Sequence, residues 1–446
     1  MVRLAMLLVG ARALRRKWPL LGLLGMVWMT LGLAIMADAS SGLSIVTVEA
    51  IAILLLCEGF FALALFTLAP HRRGWTVLAK ALALFVLGCM ILDFPVEVDI
   101  ENSLLFGLAF LIDGGARIAT ASVVRFPKWQ LVAAGGAIEL CLGGLTLVDW
   151  PVGYHRTVPF CIGVALLLSG WTILRLGLRL RQLTDDTPVV SLPVFEHRGW
   201  HDLGLALPPA RPTAPARHAT PLVVRVWTPV GSAASPRSKH RLLIDRYIAA
   251  LDGKGMISTG HAALELAPDV YISHYPALDL DHSPEDFVRL FRATPDNNVK
   301  GHFQPSYAFE SADWCPADAA VEFHTYDAAR LRAHWEAYRV DDTYNLTNRN
   351  CSVTAALAFE AALEGTLGIG AAWGHFWRLL VNPDLWVAAL LRARAESMTW
   401  TPGLVLDYAR ALHAIIEPER SSWLRRLRLT LRHLRYRHGG MAKRPA

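Results

Sequence analysis

Apolar residues crowd the first 180 positions of this chain in stretches of bilayer-spanning length. Six segments stand out: 18–37, 45–69, 75–92, 103–121, 129–148 and 157–175. Each approaches the roughly 20 apolar residues that carry a helix across a hydrocarbon core. Beyond them the pattern stops. The 446-residue chain therefore reads as a membrane domain followed by a soluble one, and the mean hydropathy of +0.33 belongs to its first part. The expected divisions are a six-helix membrane domain over 1–181, a proline-rich linker over 182–221, a soluble domain over 222–365, a helical extension over 366–416 and a basic tail over 417–446.

Charge orients the segments. Arg12, Arg15, Arg16 and Lys17 precede the first, His71, Arg72 and Arg73 follow the second, and Arg125 and Lys128 follow the fourth. Arg175, Arg179 and Arg181 end the sixth, whereas the remaining loops carry Asp38, then Asp93, Glu97, Asp99 and Glu101, then Asp149. The positive-inside rule places the N-terminus and the end of the sixth segment in the cytoplasm, and the soluble domain with them. The short N-terminal apolar run meets Arg12 too soon to read as a signal peptide.

The segments repeat. Trp18, Trp75 and Trp129 open the odd ones, and Asp38, Asp93 and Asp149 close them at spacings of 55 and 56 residues. In the even ones Glu58-Gly59, Asp113-Gly114 and Ser169-Gly170 fall at the same intervals. Three helical hairpins of one design account for this. The layout, with a polar-Gly step in each second helix, resembles the HdeD-like acid-resistance membrane proteins over residues 18–180. That resemblance implies a multi-pass protein of the bacterial inner membrane. Glu58, Asp113, Arg117 and Glu139 are costly in lipid and are expected to face the bundle interior. They read as a proton or ion path, or as buried polar glue with Asp113 and Arg117 paired one turn apart; unbroken spans favour the glue.

In the soluble half, prolines at 188, 193, 208, 209, 212, 215 and 221 mark the linker. Strands are expected over 222–227, 257–266, 270–275 and 320–325, and helices from Ser283, over 327–339 and over 352–364. Asn348 and Asn350 are good N-cap residues, which puts Cys351 at the start of the last of these helices. A thiol there feels the positive end of the helix dipole, which favours the thiolate and a developing oxyanion beside it. His261 lies on a strand running into a hairpin, and a nucleophilic thiolate needs such a base in space rather than in sequence. The bland alternative makes Cys351 a small core residue and His261 a turn residue.

The order of histidine strand, second strand and cysteine helix reverses that of ordinary papain-like enzymes. With Thr259-Gly260-His261-Ala262-Ala263-Leu264, Tyr271-Ile272-Ser273-His274-Tyr275-Pro276 and Asn350-Cys351-Ser352, it resembles the circularly permuted papain-fold thiol enzymes. These are the LRAT-like acyltransferases, PPPDE-like peptidases and Lnb-like transacylases, and the Asn-Cys-Ser step is nearest the Lnb-like branch. The resemblance covers 222–365 and implies an α+β permuted papain-like domain with Cys351 as nucleophile and His261 as general base. It also implies a thiol hydrolase, protease or acyltransferase acting through an acyl-thioester. Lnb-like enzymes work outside the cytoplasmic membrane, whereas the basic loops here argue for inside.

A third polar group would orient His261. If Leu266 pairs with Tyr271, His274 shares the His261 face; if Leu266 pairs with Val270, Ser273 takes that place. His274 is the choice made here. The backbone N–H of Cys351 would serve the oxyanion hole, with Asn350 or Tyr344, although Asn350 has an alternative role as a plain helix cap. No Cys/His spacing suggests zinc or a disulfide framework, so neither metal nor cofactor is expected. His282, His302, His324, His334 and His375 are left as structural. In the tail, Trp423, Leu424, Leu427, Leu431 and Leu434 recur at helical spacing among arginines. That pattern reads as a basic amphipathic helix on anionic lipid rather than a nucleic-acid element. Membrane lipids are thus the expected partners, and a homo-oligomer through the membrane domain is left open.

Overall fold

The computed structural model describes residues 2–10, 18–41, 99–126, 129–148, 154–182, 215–230, 244–247, 249–251, 257–278, 292–368, 372–380 and 382–418, with isolated positions between them. Glu58 and most of the expected spans 45–69 and 75–92 lie outside these residues, as do the linker up to 214, the helix expected from Ser283 and the basic tail beyond 418. Packing divides the chain into two units. One joins residues 1–25, 110–141 and 172–417; the other joins 26–109, 142–171 and 418–446.

The N-terminal half contributes helices α1 (Val2–Val9), α2 (Trp18–Ser41), α3 (Asp99–Val124), α4 (Trp129–Leu147) and α5 (Tyr154–Gln182). The stretches Trp18–Ala37, Phe106–Val124, Trp129–Leu147 and Phe160–Arg181 are long and apolar enough to cross a membrane. Glycines let these helices approach closely. In the second unit, a Cβ on Gly32 of α2 would meet the Gly163 carbonyl of α5 at 2.6 Å. In the first, Gly114 of α3 and Gly136 of α4 stand in the same relation, at 2.6 and 2.7 Å. The glycine of the Asp113-Gly114 step is therefore a helix contact. Asp113 and Arg117 pair at 2.8 Å as their spacing predicts, and the same guanidinium reaches Glu139 of α4 at 3.0 Å.

The C-terminal half is α+β with antiparallel sheets. Its main sheet runs β5–β4–β1–β8, formed by β1 (Ala216–Trp227), β4 (His261–Leu266), β5 (Val270–Ile272) and β8 (Ala319–Tyr326). Preceding β4 are α6 (Ile244–Tyr247), β2 (Ala250–Leu251) and β3 (Ile257–Ser258). A second sheet, β6–β7–β9, joins β6 (His274–Pro276), β7 (Val299–Phe303) and β9 (Thr343–Tyr344). Helices α7 (Tyr307–Asp313), α8 (Ala328–Tyr338), α9 (Cys351–Leu363), α10 (Ala372–Leu380), α11 (Pro383–Ser397) and α12 (Pro402–Ile416) complete it. Alternation sends Leu222, Val224, Val226, Ala262, Leu264 and Leu266 to one buried face, with α9 and α12 in the same core. Trp227, Ala263 and Tyr271 occupy the opposite face. Helix α9 is buried almost all round, as a core helix must be when it is apolar on every side.

The boundaries of this half differ from those expected at two points. Strand β1 starts at Ala216 rather than Leu222: Arg217 still pairs with Thr325, and a register shift between Arg217 and Leu222 absorbs Pro221, which has no N–H for a ladder. Helix α12, within the expected helical extension over 366–416, packs into the main core through Leu404, Val405, Leu406, Tyr408 and Leu412. The run Val2–Val9, inside the membrane domain expected over 1–181, packs with the α+β half. Leu4 to Val9 are buried in that same core, and the Leu7 and Leu8 carbonyls accept from the Gly365 and Leu367 N–H groups at 2.8 and 2.7 Å.

The α+β half joins the apolar helices at the ends that carry basic residues. Leu21 near the start of α2 and Leu176 and Leu180 near the end of α5 lie in the main core. At the end of α3, next to Arg125, the Val124 carbonyl accepts from the Ala293 N–H at 2.8 Å. Ala293 packs there with Ala121, Val124 and Phe126.

Candidate active site

Helix α9 opens as its sequence demands. Asn350 caps it, with Oδ1 accepting from the Val353 N–H at 2.8 Å. Its Nδ2 donates to the Leu346 carbonyl at 2.7 Å, to Thr399 Oγ1 at 3.0 Å and to the Trp400 carbonyl at 3.2 Å. An amide so committed has no donor left for an oxyanion, so Asn350 is a structural cap. Cys351 follows as the first helical residue, half-buried, with Sγ 3.8 Å from Ser352 Oγ. Burial pushes its pKa up, and the Glu310 charge adds to the rise. The Ala262 N–H and the Ser352 hydroxyl and N–H act the other way without cancelling it. The depression expected at a helix N-terminus is thus outweighed by desolvation, and the resting group is a thiol.

Ala262, whose N–H holds the thiol's pKa down, is the residue after His261. Gly260, at φ +71, turns the chain into β4; a Cβ there would strike the Trp227 carbonyl and come within 2.9 Å of Pro229 N. Gly260→Ala is expected to destabilise the half by roughly 1–3 kcal/mol, read by urea denaturation, because the left-handed backbone and the lack of space act together. His261 is buried, paired in register with Trp227, and its ring stacks on Tyr275 with centroids 4.2 Å apart at 17°. Nε2 lies 2.9 Å from Ser273 Oγ and 3.2 Å from Glu310 Oε1. Burial, with a smaller contribution from His274, lowers its pKa to about 3, so the imidazole rests neutral.

The hairpin register settles the choice between Ser273 and His274. Leu266 pairs with Val270 and Leu264 with Ile272, so Ser273 meets His261. His274 does not. The chain leaves the main sheet at Ser273, and β6 pairs with β7 instead, which turns His274 into the second sheet. There Nδ1 lies 3.2 Å from the Tyr338 hydroxyl and Nε2 3.3 Å from the Asp342 carbonyl. His274 is fully buried among Phe303, Tyr338 and Tyr344, and burial lowers its pKa to about 4. Tyr344 stays a candidate donor. Burial first, then the Cys351 charge, raises its pKa, so its phenol keeps the proton.

Sequence reasoning missed Glu310. It sits on α7, whose N-cap Ser306 accepts from the Phe309 N–H, and it is 1% exposed. Its carboxylate accepts from the Tyr271 and Tyr275 hydroxyls, the latter at 2.7 Å, besides approaching His261. No spacing rule links positions 261, 310 and 351; the only sequence signal was a lone acid in the aromatic run Tyr307-Ala308-Phe309-Glu310. Among the described residues, no group of three or more His, Cys, Asp and Glu side chains could hold a metal ion. Comparisons with protein-family models, with curated proteins and with solved structures find no match to this chain.

With Nε2 held by Ser273 and Glu310, Nδ1 remains as the basic nitrogen, this tautomer following from the partners. The imidazole and the Cys351 thiol both rest neutral.

Proposed function

We propose that this chain is a multi-pass protein of the bacterial inner membrane whose soluble half is a permuted papain-like cysteine hydrolase or acyltransferase. The observation that carries the reading is the buried His261 of β4, gripped at Nε2 by Ser273 and Glu310, with β4 packed against α9, the helix that Cys351 opens. In the reaction, His261 takes the thiol proton as Sγ bonds to an ester or amide carbonyl carbon. The developing oxyanion is met by the Cys351 N–H and the Tyr344 phenol. Collapse expels the alcohol or amine, which leaves with the proton from His261, and an acyl-thioester remains on Cys351. Water, an amine or a hydroxyl then receives the acyl group and frees the thiol. The resemblances to HdeD-like and Lnb-like proteins support the two halves of the reading. The attachment at the arginine-bearing helix ends supports a cytoplasmic soluble half and a lipid-linked substrate on that leaflet.

The test uses the full chain in detergent with 4-nitrophenyl decanoate. The expected result is a burst of nitrophenolate with a decanoyl adduct on the Cys351 peptide, lost in Cys351→Ser, slowed in His261→Ala and unchanged in Cys315→Ala. Absence of both burst and adduct sinks the enzyme reading. A second reading, a soluble half that binds a partner or acyl ligand without turnover, has one observation in its favour, the upward push on the Cys351 thiol. Reversible binding of decanoate without an adduct is its signature.

A further inference from the structure

We propose that Glu310 is the positioning residue of His261: a carboxylate clamped by two phenols that holds the Nε2–H and stabilises the imidazolium formed when His261 takes the Cys351 proton. The inference rests on the cysteine-enzyme reading and goes beyond it, to the group that sets the charge of the base.

Two groups compete for Nε2, the Ser273 hydroxyl at 2.9 Å and Glu310 Oε1 at 3.2 Å. In the resting state the shorter bond goes to Ser273, as suits a neutral ring. Proton transfer changes the balance. A hydrogen bond from an imidazolium to a carboxylate is charge-assisted, roughly twice as strong as a neutral one, and a hydroxyl cannot match it. The surroundings of Glu310 fit this use. A 1%-exposed carboxylate is costly unless its lone pairs are filled. Tyr271 donates to Oε2 and Tyr275 to Oε1, which leaves the approach on the His261 side. Tyr275 also stacks on the imidazole, so one side chain fixes both the ring plane and the carboxylate that faces its edge. The two phenols spread the carboxylate charge while the ring is neutral, which keeps the resting pair uncharged. Burial keeps the imidazolium–carboxylate contact out of water, where it is worth most.

The test is alkylation of Cys351 by iodoacetamide across pH, on the full chain in detergent, read by mass spectrometry of the Cys351 peptide. Glu310→Gln keeps the size of the side chain and removes its charge. It is expected to slow alkylation near neutral pH by roughly ten- to a hundredfold, part of the ~10²–10⁴ that a positioned base supplies, and to move the inflection of the rate to higher pH. Glu310→Asp, which restores the charge, recovers part of the rate. A Glu310→Gln profile that overlays the wild type overturns the proposal, and so does a loss confined to Ser273→Ala. Indifference to His261→Ala is a separate outcome: it ends the cysteine-enzyme reading itself.

Discussion

Acidification from about pH 7 to about pH 5 is expected to remove on the order of 5 kcal/mol from the stability of the α+β half. Three buried histidines carry the effect. Burial lowers His261 to about 3, and His274 and His334 each to about 4. All three are therefore neutral in the fold and titrate near the ordinary 6.5 once unfolded. Between those limits the unfolded chain binds more protons than the native one, so stability rises with pH. It is fully present above about 6.5 and is lost as pH falls toward 4. Against a typical total of about 5–15 kcal/mol, such a loss brings the half close to unfolding. Tryptophan fluorescence or limited proteolysis in detergent, scanned against pH and urea, should show uptake of about three protons on unfolding near pH 5. His334→Leu gives the sharpest check. His334 lies on α8 with neither ring nitrogen hydrogen-bonded to a described residue, so the substitution removes one titrating group and should lower the uptake to about two. A stability flat from pH 7 to 5 would falsify the assignment of neutral buried rings.

Arg392→Ala should cost about 3–5 kcal/mol, because it strands a buried carboxylate. Arg392 of α11 forks onto Glu360 of α9 at 2.8 and 3.0 Å, and the Tyr408 hydroxyl of α12 donates to the same carboxylate at 2.8 Å. Glu396 takes another arm of the guanidinium. Glu360 is 1% exposed and Arg392 5%, so water reaches neither readily. The network ties α9, which Cys351 opens, to α11 and α12. A paired replacement, Glu360→Leu with Arg392→Met, removes both charges and should recover most of the loss. If the double variant is as unstable as the single one, geometry rather than stranded charge is the cause. Urea denaturation of wild type, Arg392→Ala and the double variant separates the two.

Several features were legible before any fold was known. Four of the six expected spans coincide with helices of crossing length, since a run of apolar residues declares itself without partners. The Asn350 cap, the Asp327 cap on α8, the β8 strand and the Asp113–Arg117 pair all rest on neighbours within a few positions, and each formed as its spacing predicts. Cys351 at the head of a helix and His261 on a strand were readable for the same reason.

What lay beyond reach depended on pairing distant stretches. The Ser273-or-His274 choice turned on a one-residue register and on a strand that changes sheets, neither encoded in local alternation. Glu310 reaches His261 only because α7 packs against the outer face of the sheet beside Tyr271 and Tyr275. The N-terminal octamer is too short to declare its partners, and its apolar run is completed by α9, α10 and α11. The thiol shows the same division. Its place on the helix was fixed by Asn350 one residue away, whereas its resting protonation was decided by desolvation, which exists only after the rest of the half has closed around it. The sequence by itself therefore determined the spans, the caps and the residue types of the site; the tertiary structure decided which of those groups touch and which carry charge, because burial and contact between remote segments are properties of the packed chain alone.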